Sequence, residues 1–272
     1  MPTLQVSAAE RSALLTGSEL AVSIFRTWRR DLDCIDALIL LVIARSNVDG
    51  ILFNRQLRSR YGGSTQIAPD HLRQPVSVDI VAMSLRLPSP TVRRRTLALA
   101  QRGECELTSN GMLIAQHQLE ATNHAAVVEA VYRHVRTAYV GLRETSDSAA
   151  TPVLSLEPGA ERPVRAVAAH GARYLLRLLS SAGRHFADPR DCLLLIHRLA
   201  RKDDGPLSAA GDLGFSSRGA HRRISRLRIV AGYDEPFGQS WFADLAHHNM
   251  NHLFQFFAAL EEVGAVAGFE RV

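Results

Sequence analysis

Cysteine, lysine and long apolar runs are all scarce in this 272-residue chain, and each scarcity excludes something. Three cysteines, Cys34, Cys105 and Cys192, stand far apart without CxxC spacing, so neither a disulfide framework nor a zinc cluster is expected. They read as reduced, buried small hydrophobes, which suits a cytoplasmic protein. The longest apolar run, Ala37 to Ala44, falls far short of the ~20 residues that a bilayer-spanning helix needs, so no membrane partner is expected. Met1-Pro-Thr-Leu lacks the basic flank and apolar core of a secretory leader. There is no Walker loop, GxSxG or GxGxxG, so a catalytic reading has no support and neither enzyme nor cofactor is expected. His248 and His252 in His247-His248-Asn-Met-Asn-His252 share a helix face at a chelating distance, but without HExxH or further ligands they read as a polar patch, not a metal site.

Lys202 is the only lysine, so arginine supplies nearly all of the 32 basic side chains behind the net charge of +5. Position is therefore more telling than total. Arg86 to Arg102 holds Arg86, Arg93, Arg94, Arg95 and Arg102 with no acid. Leu213 to Tyr233 holds Arg218, Arg222, Arg223, Arg226 and Arg228, with His221 and again no acid. Acid-free arginine stretches are what release of counterions from a polyanion requires.

Those two stretches spell the same sentence. Ala82, Leu85, Leu87, Ser89, Val92, Arg94-Arg95, Thr96 and Leu99 align without a gap on Ala210, Leu213, Phe215, Ser217, Ala220, Arg222-Arg223, Ile224 and Leu227. A short helix, a tight turn and an arginine-bearing second helix are predicted in each copy. The repeat extends upstream. Asp33-Cys-Ile-Asp36 matches Asp188-Pro-Arg-Asp191, each read as a helix N-cap, and Asp49-Gly50 matches Asp204-Gly205, each read as a helix stop. Pro75-Val-Ser77 matches Pro206-Leu-Ser208, with Ser77 and Ser208 expected as caps. The first copy alone carries an insertion, Ile51 to Gln74, whose Asn54–Gly63 segment is basic and reads either as an arm on a polyanion backbone or as a surface loop.

Behind the first pair, Asn110-Gly111 between two β-capable runs predicts a hairpin with a type I′ turn. Behind the second, Tyr233 to Gln239 is turn-rich without a clear strand pair. Amphipathic helices are expected at Glu19–Arg30, Leu119–Leu142, Val164–Ser181 and Trp241–Val263. The aromatic last helix is free to pair with another chain, giving a homodimer, or to pack near Val131 within its own. Residues 1–18 read as a loose terminus, 19–143 as the first unit, 144–163 as a linker and 164–272 as the second, divergent unit.

On a helix at 100° per residue, Val92, Thr96, Leu99 and Ala100 face inward, while Thr91, Arg94, Ala98 and Arg102 lie opposite and Arg93 and Arg95 flank them. Pro90 follows Ser89, read as the cap, at the first helical position. In the second copy Ala220, Ile224 and Leu227 point inward and Arg218, Arg222 and Arg226 outward.

The run Ser89-Pro-Thr91-Val92-Arg93-Arg94, with Leu99 and Gly103 behind it, resembles the winged helix-turn-helix heads of bacterial GntR-type and MarR-type transcription regulators over Val76 to Ile114. The resemblance implies that Val92 and Leu99 pack inward, that the Ser, Thr and Arg side chains meet DNA, and that Gly103 begins the wing. The chain departs from it at Thr96, where a large aliphatic is usual, and at Arg95, where a small residue is usual. The resulting expectation is a mainly α protein of two tandem winged helix-turn-helix units with short hairpin wings and flanking long helices. It would bind specific double-stranded DNA as a cytoplasmic, nucleoid-associated regulator. Ser89, Thr91, Arg93, Arg94, Arg95, Arg102 and Asn110 are its expected DNA contacts, with Ser217, Arg218, Arg222, Arg223 and Arg226 from the second copy. Arg94 and Arg95 are assigned to base edges, Arg93 and Thr91 to phosphates. A plasmid-type replication initiator with tandem winged helices and a protein-docking module remain alternatives.

Overall fold

A computed structural model describes residues 6–145, 161–201, 206–234, 236 and 239–265. The described chain is mainly helical, with twelve α-helices and one two-stranded antiparallel sheet. In order these are α1 (Ala8–Arg29), α2 (Cys34–Phe53), α3 (Arg55–Tyr61), α4 (Val78–Leu85), α5 (Ser89–Gln101), β1 (Cys105–Thr108), β2 (Gly111–Ile114), α6 (Gln116–Glu120) and α7 (Thr122–Thr145). Then follow α8 (Val164–Ala182), α9 (Pro189–Ala200), α10 (Pro206–Leu213), α11 (Ser217–Ala231) and α12 (Ser240–Glu262). Two compact units emerge, one drawn from Met1–Ala37 and Tyr174–Gln255, the other from Leu38–Arg173 and Phe256–Val272. Both are composed differently from the halves expected in sequence order. An amphipathic helix advertises that it needs a partner but not which one.

In the first unit α1 packs on α9 and α10, and α10 on α11. The helix starts at Ala8, not at Glu19. Ser7 accepts the Glu10 amide while the Glu10 carboxylate accepts from Ser7 N–H, a complete capping box, and Ala13, Leu14, Gly17 and Ser18 are buried. Residues 1–5 of the expected loose terminus lie outside the described residues. At the other end Arg29 donates to the Gly211 and Asp212 carbonyls at the end of α10, at 2.9 and 3.3 Å, and to Leu32 O at 3.0 Å. A cation placed on these terminal carbonyls satisfies groups the helix leaves open. Deeper in, the Tyr174 hydroxyl donates to Asn249 Oδ1 at 2.7 Å, and Asn249 Nδ2 to Ala13 O at 3.0 Å.

In the second unit the hairpin is pinned from behind. Asn47, buried on α2, donates to Gln74 O (2.8 Å) and Met112 O (3.1 Å) and accepts from Ile114 N–H (2.9 Å). Buried Arg73 donates to Ile114 O at 2.6 Å and pairs with Asp70. Val76, just ahead of α4, forms an antiparallel bridge with Met112, adding a third extended segment beside β2. The turn itself departs from expectation. Thr108 pairs with Gly111, so Ser109 and Asn110 form the loop, and neither has a positive φ as a type I′ turn would need. Gly111 instead carries the unusual backbone (φ 134°), because a Cβ there would lie 2.6 Å from Val76 O. No strand pair follows α11 among the described residues.

Two other expectations on boundaries are corrected. Helix α2 runs through Gly50 to Phe53 because Ile51 and Leu52 are buried. Asp49 there pairs with Arg45 (2.9 Å) and Arg173 (2.8 Å) instead of ending the helix. Ser208 lies inside α10, which begins at Pro206. Of the expected linker, residues 146–160 lie outside the described residues, as do Asp204 and Gly205. The alternative of an internal partner for the last helix is met in part, since Phe257 of α12 packs edge-on against Tyr139 of α7 with centroids 5.3 Å apart.

Two substitutions probe the two units separately. Gly17→Ala would set a Cβ 2.0 Å from the Tyr174 hydroxyl, and is expected to cost at least about 2 kcal/mol in urea unfolding. Asn47→Ala removes three hydrogen bonds, taking this partner from Gln74 O and Ile114 N–H while Met112 O keeps the Val76 amide. It is expected to cost about 2–4 kcal/mol, and hydrogen exchange should accelerate first in β1 and β2.

Candidate nucleic-acid interface

The duplicated motif reads out as the same local geometry twice. Leu87 N–H donates to Ala82 O at 3.0 Å, and Phe215 N–H donates to Ala210 O at 3.0 Å. The turn preceding each carries a left-handed residue at the equivalent place, Arg86 (φ 52°) and Gly214 (φ 70°). Burial matches position by position, for Ala82, Leu85, Val92, Thr96 and Leu99 in one copy and Ala210, Leu213, Ala220, Ile224 and Leu227 in the other. Buried Thr96 is tolerated because its hydroxyl bonds back to Val92 O at 2.7 Å, so no polar group is stranded.

With that face buried, the arginines of α5 take unequal places. Arg93 and Arg94 are exposed and make no hydrogen bond or ion pair with another described residue. Arg95 is half-buried and engaged in an internal interaction, and exposed Arg102, at the end of α5, is engaged too. Of the three arginines expected at DNA, Arg93 (at a phosphate) and Arg94 (at a base edge) are thus the free pair, while Arg95, expected at a base edge, is engaged within the fold. Thr91 is half-buried, and Asn110 is exposed at the hairpin tip, its N–H held by Thr108 Oγ1 at 3.2 Å. Ser89 is not the cap: Pro88 holds that position, and the Ser89 hydroxyl donates to Asp79 of α4 at 3.0 Å, tying the two helices together.

The second arginine helix is more committed to its own fold. Arg223 bridges Asp188 (2.9 Å) and Asp191 (2.7 Å), and Arg226 also pairs with Asp191. The Asp191 side chain is only 5% exposed, so removing its arginines would leave a buried charge uncompensated. Asp188 caps α9 as expected, accepting from Arg190 N–H. Burial opposes its ionisation, but the hydrogen bonds from Arg190 and the charges of Arg190 and Arg223 prevail and hold its carboxyl below the usual range. Arg228 pairs with Asp234 at 2.9 Å. Arg218 and Arg222 remain exposed without a partner among the described residues, and Ser217 is exposed beside Ser216, the actual cap. Gly219 leaves room for that cap, since a Cβ there would lie 2.9 Å from Ser216 Oγ.

Other chemistry is sparse. All three cysteines are buried thiols outside any disulfide, with Cys34 pushed up by burial and Cys105 pushed up to about 11 by burial and nearby acids. No group of three metal-ligating side chains occurs among the described residues, and no described helix is long and apolar enough to cross a membrane. His185, His248 and His252 instead line a polar seam in the first unit, between α12 and the end of α8 with the residues that follow it. Ser181 meets His252 (2.9 Å), Arg184 meets His248, and His185 meets Asp244 (2.8 Å).

This seam sets a pH dependence. Burial, then the charges of Arg177, His248 and Arg184, push His252 down from 6.5 to about 4. The unfolded chain therefore takes up this proton first, so stability is unaffected above the ordinary value and falls as pH drops from about 6.5 toward about 4. Urea midpoints measured across that interval are expected to decline in the parent and to decline less in His252→Gln. Compared with known proteins, no family model, curated protein or solved structure matches this chain.

Proposed function

We propose that this protein binds double-stranded DNA sequence-specifically, as a bacterial transcription regulator working in the cytoplasm at the nucleoid. On this reading α4, α5 and the β1–β2 hairpin form a winged helix-turn-helix, with α5 as the helix that enters the major groove and the hairpin as its wing. One observation carries the proposal: Arg93 and Arg94 stand exposed and uncommitted on a helix whose other side buries Val92, Thr96 and Leu99. A guanidinium in that position can donate two hydrogen bonds to guanine O6 and N7, and its neighbour can hold a phosphate. The turn geometry and the hairpin support the same reading, since α4 and β1 both pack against α5 as the parts of such a head would.

Helices α10 and α11 make a second copy in this proposal, without a strand pair among the described residues, reading a site of different sequence through Arg218 and Arg222. A protein-docking role for α11 has an observation of its own. Ile229 and Val230 are 87% and 64% exposed toward its end, while Arg223 and Arg226 are occupied by Asp191. A footprint separates the two, because two protected patches require both helices on DNA and a single short patch leaves α11 to a protein partner.

Selection from random duplexes tests the central assignment. Arg94→Ala is expected to weaken the preferred sequence by about 1–3 kcal/mol and to relax preference at one base position. Arg222→Ala is expected to act on the other part of the site. An Arg94→Ala protein that retains the parent's affinity and preference would refute the role of α5.

A further inference from the structure

We propose that the loop Gly62–Thr65 is an oxyanion site for a phosphoryl group, filled in this structure by the chain's own Glu161 carboxylate. The loop follows α3 in the second unit, where the basic Asn54–Gly63 segment ends. Two consecutive residues aim four donors at one carboxylate. Ser64 N–H and Oγ–H (2.7 Å) and Thr65 N–H (2.8 Å) all reach Oε1, and Thr65 Oγ1–H reaches Oε2 at 3.0 Å. Successive backbone amides converging with hydroxyls form an anion-binding concavity, and its selectivity is for oxygen geometry and charge.

The concavity is built into the fold. Gly62 N–H closes α3 on Arg58 O at 2.7 Å, while Gly62 O accepts the Arg165 and Ala166 amides of α8 at 2.8 and 3.1 Å. Both glycines are required. A Cβ on Gly62 would sit 2.5 Å from Arg58 O, and one on Gly63 would sit 2.2 Å from the Glu161 carboxyl carbon, in the space the anion occupies.

A second observation points to a larger anion than a carboxylate. Arg165, whose backbone amide already donates to Gly62 O at 2.8 Å, keeps a buried side-chain Nε–H with no hydrogen-bond acceptor. A carboxylate offers two oxygens to these donors, whereas a phosphoryl group offers three or more with greater charge. Glu161 itself is exposed and sits before the start of α8, so it is an exchangeable occupant and a competitor. The phosphoryl group is either free phosphate or a DNA backbone phosphate. Only the second source rests on the DNA-binding reading.

The test follows the Ser64 and Thr65 amide resonances of the full-length chain during titration with inorganic phosphate, against chloride at equal ionic strength. In Glu161→Gln both amides are expected to shift saturably. Removing a competitor that fills the site about nine-tenths of the time tightens the apparent affinity about tenfold over the parent. Adding Gly63→Ala or, should that variant misfold, Thr65→Val to Glu161→Gln is expected to weaken the response. A short duplex added to Glu161→Gln identifies the source, since a response to duplex and not to phosphate assigns the site to the DNA backbone. Response to phosphate alone assigns it to a free anion, and stands even if the protein ignores DNA. A folded Glu161→Gln protein whose Ser64 and Thr65 amides answer neither probe overturns the proposal.

Discussion

One buried amide organises the face on which the functional proposal rests. Asn47 reaches two carbonyls and one amide on segments that sequence separates widely: Gln74, Met112 and Ile114. A two-stranded hairpin alone is marginal in water. Here it is fixed by Asn47, by Arg73 on the Ile114 carbonyl and by the Val76–Met112 bridge, so that β1 lies packed against α5. Helix α5 in turn can expose arginines because Val92, Thr96 and Leu99 anchor its other side. The order of dependence runs from Asn47 to hairpin to helix to guanidinium.

The two arginine helices illustrate how charge in sequence differs from charge in space. Both stretches are free of acids along the chain. In the folded chain Asp188 and Asp191, from a different helix, take Arg223 and Arg226 out of circulation, while Arg93 and Arg94 keep their charge unopposed. Desolvated carboxylates demand such partners, and the nearest arginines supply them. This gives the two copies different electrostatic characters despite matching turns and matching buried faces.

Local signals were the most legible part of the sequence. The helix pairs, the hairpin, the Asp188 and Ser77 caps and the inward faces of α5 and α11 follow from periodicity and capping chemistry, which act over a few residues. What escaped was set by distant contacts. Glycine at position 50 looked like a stop, yet the burial of Ile51 and Leu52 carries α2 past it. Asn47 and Arg73 gave no sign of their role, because a lone polar residue in an apolar helix or loop does not name its acceptors. The grouping of α1 with α9 and α10 was equally silent, since any amphipathic helix would serve. Nothing in the sequence marks Ser64 and Thr65, whose donors converge on a carboxylate supplied from Glu161, far along the chain.

The central claim is that α5 presents Arg93 and Arg94 to a DNA groove, and arginine side-chain NMR addresses it most directly. With a selected duplex added at 50 mM salt, the Nε–Hε signals of Arg93 and Arg94 are expected to move and sharpen, with that of Arg223, held by Asp188 and Asp191, unmoved. Signals of Arg93 and Arg94 that stay in place while the protein binds the duplex would contradict the account.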